Sequence, residues 1–364
     1  MNYHLILTQR CNLQCRYCGG STDLNENPRD ITYSLEILKN FLVTDPDPTI
    51  AFYGGEPLMK IEQMKQIMDI IPARRFILQT NGILLDKVDK DYLHRFDEIV
   101  ISIDGPRFIT DIYRGEGTYD WILENLSYVR DLDYKGDIIA RMTISTHSDI
   151  YRDVTHLLRL QNPHFDHIHW QLDVLWNDRS QWVDLKGWIR KSYNPGIRRL
   201  IDDWLLEMEK HEKVPGIVPF LGIIKDLLKN QKTRLRCGSG LNFFAINTNG
   251  TISACPICPE LESFIVGSIY DNSPKDIENS LLIDEPCLQC DIYEICGGRC
   301  LFMNQFQAWN WNEDDYKLIC ETVHYLINEL YRIRPKVKAL IKQKRLSYDQ
   351  LAYPMELNCC EIIP

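Results

Sequence analysis

The run Cys11-Asn-Leu-Gln-Cys15-Arg-Tyr-Cys18 follows directly on an apolar, strand-like stretch, Tyr3-His-Leu-Ile-Leu7. Three soft thiolates this close together suit one thiophilic centre, zinc or an iron–sulfur cluster. A structural zinc site wants four closed ligands, and the next cysteine in the chain is Cys237. Three cysteines on a four-iron cubane leave one iron open to a small molecule. A loop at the C-terminal end of a first strand is also where (β/α) barrels carry their active sites.

Outward from this loop, residues 1–178 alternate short apolar runs with amphipathic ones. Strands are expected at 3–7, 49–53, 75–79, 98–103, 137–144 and 167–174. Ile31, Leu35, Leu38 and Leu42 recur with helical spacing, as do Ile61, Met64, Ile67, Met68 and Ile71. Trp121, Leu123, Leu126 and Val129 follow Thr118, a helix cap by its hydroxyl, and Val154, Leu157, Leu158 and Leu160 follow Ser148-Asp149. Six β–α units imply an α/β fold with a parallel sheet and right-handed crossovers; composition leaves an open sheet and a barrel as alternatives. Residues 179–236 read as helical, with Asn194-Pro195-Gly196 and Val214-Pro215-Gly216 as breaks. Residues 237–320 are rich in Gly, Pro and Cys, with too small a core to stand easily without metal. A long terminal helix is expected over 314–345, with Pro335 as a kink.

The chain has 364 residues, enough for two domains. No apolar run is long enough to span a membrane, and the N-terminus shows no charged n-region or cleavage site of a signal peptide. The clustering of the thirteen cysteines in CxxC patterns therefore favours metal ligation in a reducing cytoplasm over secreted disulfides. The net charge of −10 argues against a nucleic-acid partner. Residues 1–178 hold 18 Lys+Arg against 27 Asp+Glu and so carry −9 of it. Basic residues gather at 186–199, 225–236 and 332–345, as solvated helix faces or as an attraction for an acidic peptide.

Further groups stand after the later strands. Tyr53-Gly54-Gly55-Glu56-Pro57 pairs glycines, which let backbone approach closely, with a carboxylate able to accept bonds from an ammonium group. Thr80-Asn81-Gly82 and Ser102-Ile-Asp104-Gly105 supply hydroxyl, amide and carboxylate groups suited to a ribose. Arg114, in Arg114-Gly-Glu-Gly117, offers a fork for a carboxylate. The CxxxCxxC spacing, with Tyr17 before the third cysteine, resembles the radical SAM superfamily, and Gly54-Gly55-Glu56-Pro57 resembles that family's GGEP motif.

The resemblance implies a partial (β/α)6 barrel over 1–178, whose wide side takes a large substrate. It implies that Cys11, Cys15 and Cys18 hold a [4Fe–4S] cluster whose open iron is chelated by S-adenosylmethionine. One electron then cleaves SAM to a 5′-deoxyadenosyl radical. By position, the GGEP segment holds the methionine amino group, Ser102 and Asp104 lie by the ribose, where the amide of Asn81 is also suited to bind, Arg114 contacts SAM, and Leu172 lies by the adenine.

Downstream, Gly250-Thr-Ile-Ser-Ala-Cys255 and Cys287-Leu-Gln-Cys290, then Cys296, Cys300 and Cys320, resemble the SPASM domain of enzymes that modify peptides or proteins. That domain is expected over 237–325, after a helical linker at 179–236 and before a terminal helix and tail at 326–364. The resemblance assigns Cys237, Cys255 and Cys300 to auxiliary cluster I, with Cys258 as its expected fourth ligand. It assigns Cys287, Cys290, Cys296 and Cys320 to auxiliary cluster II. A zinc ribbon built on Cys255/Cys258 and Cys287/Cys290 is the alternative; it leaves Cys237, Cys296, Cys300 and Cys320 without a role. Cys359 and Cys360 match no pattern.

Two departures bear on function. Sulfatase-maturating relatives carry an Asp after the GxxxxC cysteine as proton acceptor, where this chain has Pro256, so formylglycine formation by that route is not expected. No domain precedes the barrel, so either a separate protein or the basic helices themselves are expected to bind any leader peptide. The expectation is thus a cytoplasmic enzyme acting on a ribosomally made peptide or a protein, with a ferredoxin- or flavodoxin-type electron donor. The product would be a thioether, a carbon–carbon crosslink or a related oxidation. A radical SAM enzyme for a small molecule and a non-catalytic iron–sulfur carrier are the alternatives.

Overall fold

A computed structural model describes residues 1–18, 28–174, 179–259, 261–305 and 311–353. Cys359 and Cys360 lie outside the described residues. The strands are β1 (Asn2–Thr8), β2 (Thr49–Gly54), β3 (Arg75–Thr80), β4 (Glu98–Ser102), β5 (Asp137–Ile144), β6 (His167–Leu172), β7 (Phe243–Ile246), β8 (Thr251–Ser253) and β9 (Ile265–Ser268). The helices are α1 (Leu35–Leu42), α2 (Ile61–Ile70), α3 (Lys90–Leu93), α4 (Arg107–Arg114), α5 (Thr118–Asp131), α6 (Ile150–Leu158) and α7 (Leu185–Trp188). They continue with α8 (Asn194–His211), α9 (Val218–Lys229), α10 (Pro274–Ile277), α11 (Tyr293–Cys296), α12 (Leu301–Gln305) and α13 (Glu313–Lys342).

All six expected strands form, and they build the open α/β sheet of a partial (β/α)6 barrel. The strand order is β6-β5-β4-β3-β2-β1-β7-β8-β9. β1 pairs parallel with β2, β2 with β3, and β3 with β4. Strands buried on both faces read as continuous apolar runs. Accordingly Leu5, Leu7, Ile50, Phe52, Leu78, Ile99 and Ile101 are all inaccessible to solvent.

The second cysteine-rich stretch contributes three strands that its composition did not announce. β7 lies parallel to β1, with Asn2 opposite Phe243 and Leu5 opposite Ile246. β8 and β9 then add antiparallel. Each is only three or four residues long, too short to show a period, and β1 is consequently not an edge.

The chain divides into two compact units. The first comprises Met1–Ile103, Thr110–Ala140 and Gly238–Leu282. Its helices start on local signals: Ser34 caps α1 by accepting the Ile37 N–H at 3.4 Å. α5 begins after Gly117, which takes φ +81°, so the expected cap Thr118 is instead the first helical residue.

The second unit comprises Asp104–Ile109, Arg141–Cys237 and Ile283–Pro364. Asp149 caps α6. α8 begins at Asn194, with Pro195 in its first turn, and a π-helical segment Ile189–Tyr193 runs straight into it. Asn194-Pro195-Gly196 is therefore not the expected break: Pro at the first turn loses an N–H that has no intrahelical partner anyway. The break at Pro215-Gly216 does form, and Gly216 accepts the Ile168 N–H at 2.7 Å. α13 carries Pro335 inside it and starts from a reciprocal cap between Asn312 and Asp315.

Candidate functional site

In the first unit, Cys11, Cys15 and Cys18 occupy the loop that leaves β1. Cys11 and Cys18 are exposed and Cys15 is half-buried. The Cys18 N–H donates to the Cys15 carbonyl at 3.0 Å, turning the chain between the two thiols. The Arg16 N–H donates to the Tyr113 carbonyl at 2.8 Å and ties the loop to the end of α4.

Two donors aim at the first sulfur. The Leu13 N–H lies 3.4 Å from Cys11 Sγ and Asn81 Nδ2 lies 3.7 Å from it. Asn81 also donates to Asn12 Oδ1 at 2.7 Å. Although Cys11 is exposed, partial desolvation of its sulfur raises the thiol above its usual range, and the charges of Glu56 and Cys18 push the same way, while these two donors act against them. A metal reverses the balance, because a coordinating thiol is deprotonated outright. A three-thiol loop open to solvent, with N–H groups directed at sulfur, fits a cluster held by Cys11, Cys15 and Cys18.

The Gly54-Gly55 pair is required by proximity. A Cβ on Gly54, at φ +132°, would lie 2.3 Å from the Thr8 carbonyl oxygen. One on Gly55 would lie 2.2 Å from that of Arg10. The Gly55 and Glu56 N–H groups donate to the Thr8 and Arg10 carbonyls, both at 2.8 Å. The end of β2 is thus laced to the backbone that leads into the cysteine loop.

Glu56 is wholly buried. Its Oε1 accepts from the Leu58 N–H at 3.0 Å and the Thr80 hydroxyl at 2.8 Å, and its Oε2 accepts from the Asn81 N–H at 2.7 Å. Burial pushes the carboxyl up to about 7 against these three bonds. Three of roughly four lone-pair positions are therefore used within the protein. Sequence reasoning took Glu56 as an open acceptor; here it also joins the ends of β2 and β3. Asn125 adds a second brace, donating to the carbonyls of Gly82 and Ile83 at 2.8 and 2.9 Å.

Tyr17 and Arg114 are both buried and meet directly: the guanidinium lies 5.5 Å from the Tyr17 ring centroid. Tyr113, which no motif indicated, packs on Tyr17 with centroids 5.2 Å apart. Ser102 ends β4 half-buried. The same unit holds Cys255 and Cys258, both buried. The Cys258 N–H donates to the Cys255 carbonyl at 3.2 Å, closing a turn across Pro256. A hydrogen bond from Cys258 draws the Cys255 thiol below its usual range, against its burial.

In the second unit, Asp104 is buried and its Oδ1 accepts the Thr143 N–H at 2.9 Å. Leu172 is buried on β6. Cys237 is buried and Cys300 half-buried. Cys287, Cys290, Cys296 and Cys320 form a mutually repelling set. Burial pushes the Cys287 thiol up to about 11, and Cys320, Cys296 and Cys290 each add to that. Burial likewise raises Cys320, with Cys296 and Cys290 adding to it.

Cations and amides offset that repulsion. Gly297 and Gly298 take φ +76° and +87°, a left-handed pair that turns backbone N–H groups inward. The Arg299 N–H then donates to Cys296 Sγ at 3.2 Å. Burial raises the Cys296 thiol as well, but backbone N–H groups and the charges of Arg236 and Arg299 oppose that rise, and Arg299 also opposes the rise of Cys320. Arg236 is held by Asp226 at 2.7 Å and donates to the Ile295 carbonyl at 2.8 Å. Four thiols that repel one another beside two buried guanidiniums fit a four-thiolate cluster. Neither arginine was indicated by a motif, since only folding sets them beside the sulfurs.

Comparisons with known proteins agree with this geometry. Residues 5–157 match the radical SAM superfamily. The chain is 22% identical over 355 residues to the cysteine-type anaerobic sulfatase-maturating enzyme of Clostridium novyi, covering 86% of this chain and 91% of that one. Its fold is similar to that of anSMEcpe with bound AdoMet and Cp18Cys peptide, with a TM-score of 0.70 and 17% identity over 93% of this chain and 100% of that one. It is also similar to Streptococcus suis SuiB bound to precursor peptide SuiA, with a TM-score of 0.55 and 14% identity over 84% and 74% of the two chains. Among the described residues no helix is long and apolar enough to cross a membrane.

Proposed function

The chain belongs, through residues 5–157, to the radical SAM superfamily, and we propose that it is a radical SAM/SPASM enzyme that oxidatively modifies a side chain of a peptide or protein. When bound, a [4Fe–4S] cluster and S-adenosylmethionine supply a 5′-deoxyadenosyl radical that takes a hydrogen atom from the substrate. The observation that carries the reading is the lacing of the GGEP turn to the cysteine loop: Gly55 and Glu56 donate to Thr8 and Arg10 at 2.8 Å. That contact sets a backbone edge for SAM beside the thiols.

In this reading Cys11, Cys15 and Cys18 hold the cluster. The segment Gly54-Gly55-Glu56-Pro57 receives the methionine end of SAM, Glu56 keeps the ends of β2 and β3 in register for it, and Asn81 lies toward the ribose. Ser102 and Asp104 lie by the ribose, Leu172 by the adenine, and Arg114, steadied on Tyr17, offers the charged fork. Cys237, Cys255, Cys258 and Cys300 hold one auxiliary cluster, and Cys287, Cys290, Cys296 and Cys320 hold the other, within a SPASM region at 237–325.

A peptide substrate is supported by the fold's likeness to two proteins whose solved structures contain peptides. The product proposed is a thioether, a carbon–carbon crosslink or a related oxidation, formed in the cytoplasm. An external ferredoxin- or flavodoxin-type protein delivers electrons. The test is to give anaerobically reconstituted, reduced protein SAM and a candidate peptide. Formation of 5′-deoxyadenosine with a peptide mass change is expected; intact clusters without 5′-deoxyadenosine would leave an electron carrier instead.

A further inference from the structure

Within the second unit, one side chain outside every cysteine motif reaches the quartet assigned to auxiliary cluster II. His324 lies one helical turn beyond Cys320 on α13, so the two share a face. Its Nε2 is 3.6 Å from Cys290 Sγ. Its Nδ1 is 3.9 Å from Asp291 Oδ1. We propose that His324 is a positioning residue for auxiliary cluster II, donating its Nε2–H to the Cys290 thiolate and setting the cluster's reduction potential; this rests on the reading that Cys287, Cys290, Cys296 and Cys320 hold that cluster.

The geometry selects a hydrogen-bond donor over a ligand. Four thiols already satisfy four irons, so the quartet leaves none open to a nitrogen. An imidazole that ligates metal ordinarily gives its other N–H to a carboxylate, a backbone carbonyl or water. Here the Asp291 carboxylate, 3.9 Å from Nδ1, is too far for such a bond. Nε2 is the ring nitrogen aimed at sulfur, and the tautomer protonated there makes the bond. Sulfur accepts hydrogen bonds at longer range than oxygen, and 3.6 Å is within it.

The arrangement is also uneven around the quartet. Cys296 receives a backbone N–H, from Arg299, while Cys290 receives a side chain that substitution can remove. Hydrogen bonds to cluster sulfurs draw charge from them and favour the reduced state, one of the main controls on potential. Asp291 is largely exposed and His324 about a third exposed. Cys290, half-buried like Cys287 and Cys320, is thus flanked by side chains that reach solvent, where a tuned cluster could exchange electrons with an external protein.

The test uses the full chain, anaerobically purified and reconstituted, as wild type, His324→Phe, His324→Gln and Cys290→Ala. Iron content is counted, and potentials are measured by redox titration followed by electron paramagnetic resonance. Nitrogen couplings are read in protein labelled with ¹⁵N-histidine. The expected result is unchanged iron in both His324 variants and a more negative potential for one cluster in His324→Phe. His324→Gln, which keeps an N–H donor, should restore part of the shift. A weak ¹⁵N coupling should be present in wild type and absent from both variants. An unchanged potential with full iron would overturn the proposal, as would a strong, directly bonded nitrogen coupling. Cys290→Ala separates the levels: if it leaves all clusters intact, the quartet assignment itself fails.

Discussion

The Glu56 carboxylate accepts the backbone N–H of Asn81 at 2.7 Å, joining the turn after β2 to the turn after β3 from inside the protein. Asn81 is the residue whose side chain reaches Cys11 Sγ and Asn12. A single buried carboxylate thus connects the GGEP segment, the loop after β3 and the first thiol. In the proposed reading its effect on SAM is exerted largely through position.

Glu56→Gln tests this. One amide face cannot accept, so at least one of the Leu58, Thr80 and Asn81 donors is left buried without a partner, at a cost of about 1–3 kcal/mol. We expect a lower unfolding midpoint in denaturant, unchanged iron, and SAM affinity reduced roughly ten- to hundredfold. Equilibrium binding of SAM to the reconstituted variant checks it; full affinity would separate Glu56 from the SAM pocket.

Arg114→Ala should act on the ligand with little change to the fold. Its guanidinium lies over Tyr17 in a buried setting, and a charge-assisted bond to a carboxylate is worth about 1.5–3 kcal/mol. SAM affinity should fall about tenfold or more, with Arg114→Lys only partly restoring it, because an ammonium lacks the planar fork. Equal affinity in the wild type and both variants would remove Arg114 from the pocket.

Asp153 gives a pH dependence away from the cysteines. Its side chain is wholly buried. Oδ1 accepts from Arg152 Nε at 2.7 Å and Oδ2 from the Asp149 N–H at 2.9 Å. Burial still outweighs these bonds and pushes the carboxyl from 3.8 up to about 6. A raised carboxyl contributes stability that is complete below its unfolded value and lost as pH rises through the folded one. Asp153→Asn stays neutral and escapes that loss. Relative to wild type it should gain on the order of 3 kcal/mol at most between about pH 4 and about pH 8. Denaturant midpoints of both proteins at the two pH values measure this; a pH-independent difference would mean that the carboxyl titrates normally.

The six strands of the barrel were legible because each is an apolar run of five to eight residues bounded by polar turns. The cysteine loop and Gly54-Gly55 were legible because their chemistry is local: spacing for the thiols, absence of a Cβ for the glycines. β7, β8 and β9 were not, being too short to show a period. Asn194-Pro195-Gly196 misled because Pro at a helix start and Pro at a break look alike without the preceding turn. Tyr113, Asn125, Arg236, Arg299 and His324 escaped because each acts on a residue distant in sequence. The saturation of Glu56 was likewise invisible, since its partners Thr80 and Asn81 come from the next strand.

Replacing Cys11, Cys15 and Cys18 together with Ala should lower iron from roughly twelve to roughly eight per chain and abolish 5′-deoxyadenosine. None of the three lies in the cysteine-rich region that β7–β9 begin, so the remaining clusters should persist. Iron and sulfide analysis with product chromatography checks both halves. Residual 5′-deoxyadenosine from the triple variant would place SAM cleavage elsewhere.

Cys258 decides the character of auxiliary cluster I. In the proposed reading Cys237, Cys255 and Cys300 are three of its ligands, and residues 238–254 contain no cysteine. Cys258 is buried, and its thiol hydrogen-bonds to that of Cys255 across the turn at Pro256. Two thiols already in contact need only small rotations to meet one cluster, and a CxxC turn commonly brings two thiolates to one. Burial also favours ligation, because a thiolate hidden from water is best stabilised by a metal. Cys258→Ala should therefore leave a cluster with one iron lacking a protein ligand. Its paramagnetic spectrum should change without added peptide, and its iron should be lost faster in air. Cys258→Ser, which offers a harder oxygen ligand, should retain the cluster with a shifted spectrum. If Cys258→Ala has the wild-type spectrum until peptide is added, Cys258 is not a ligand and the fourth position belongs to the substrate.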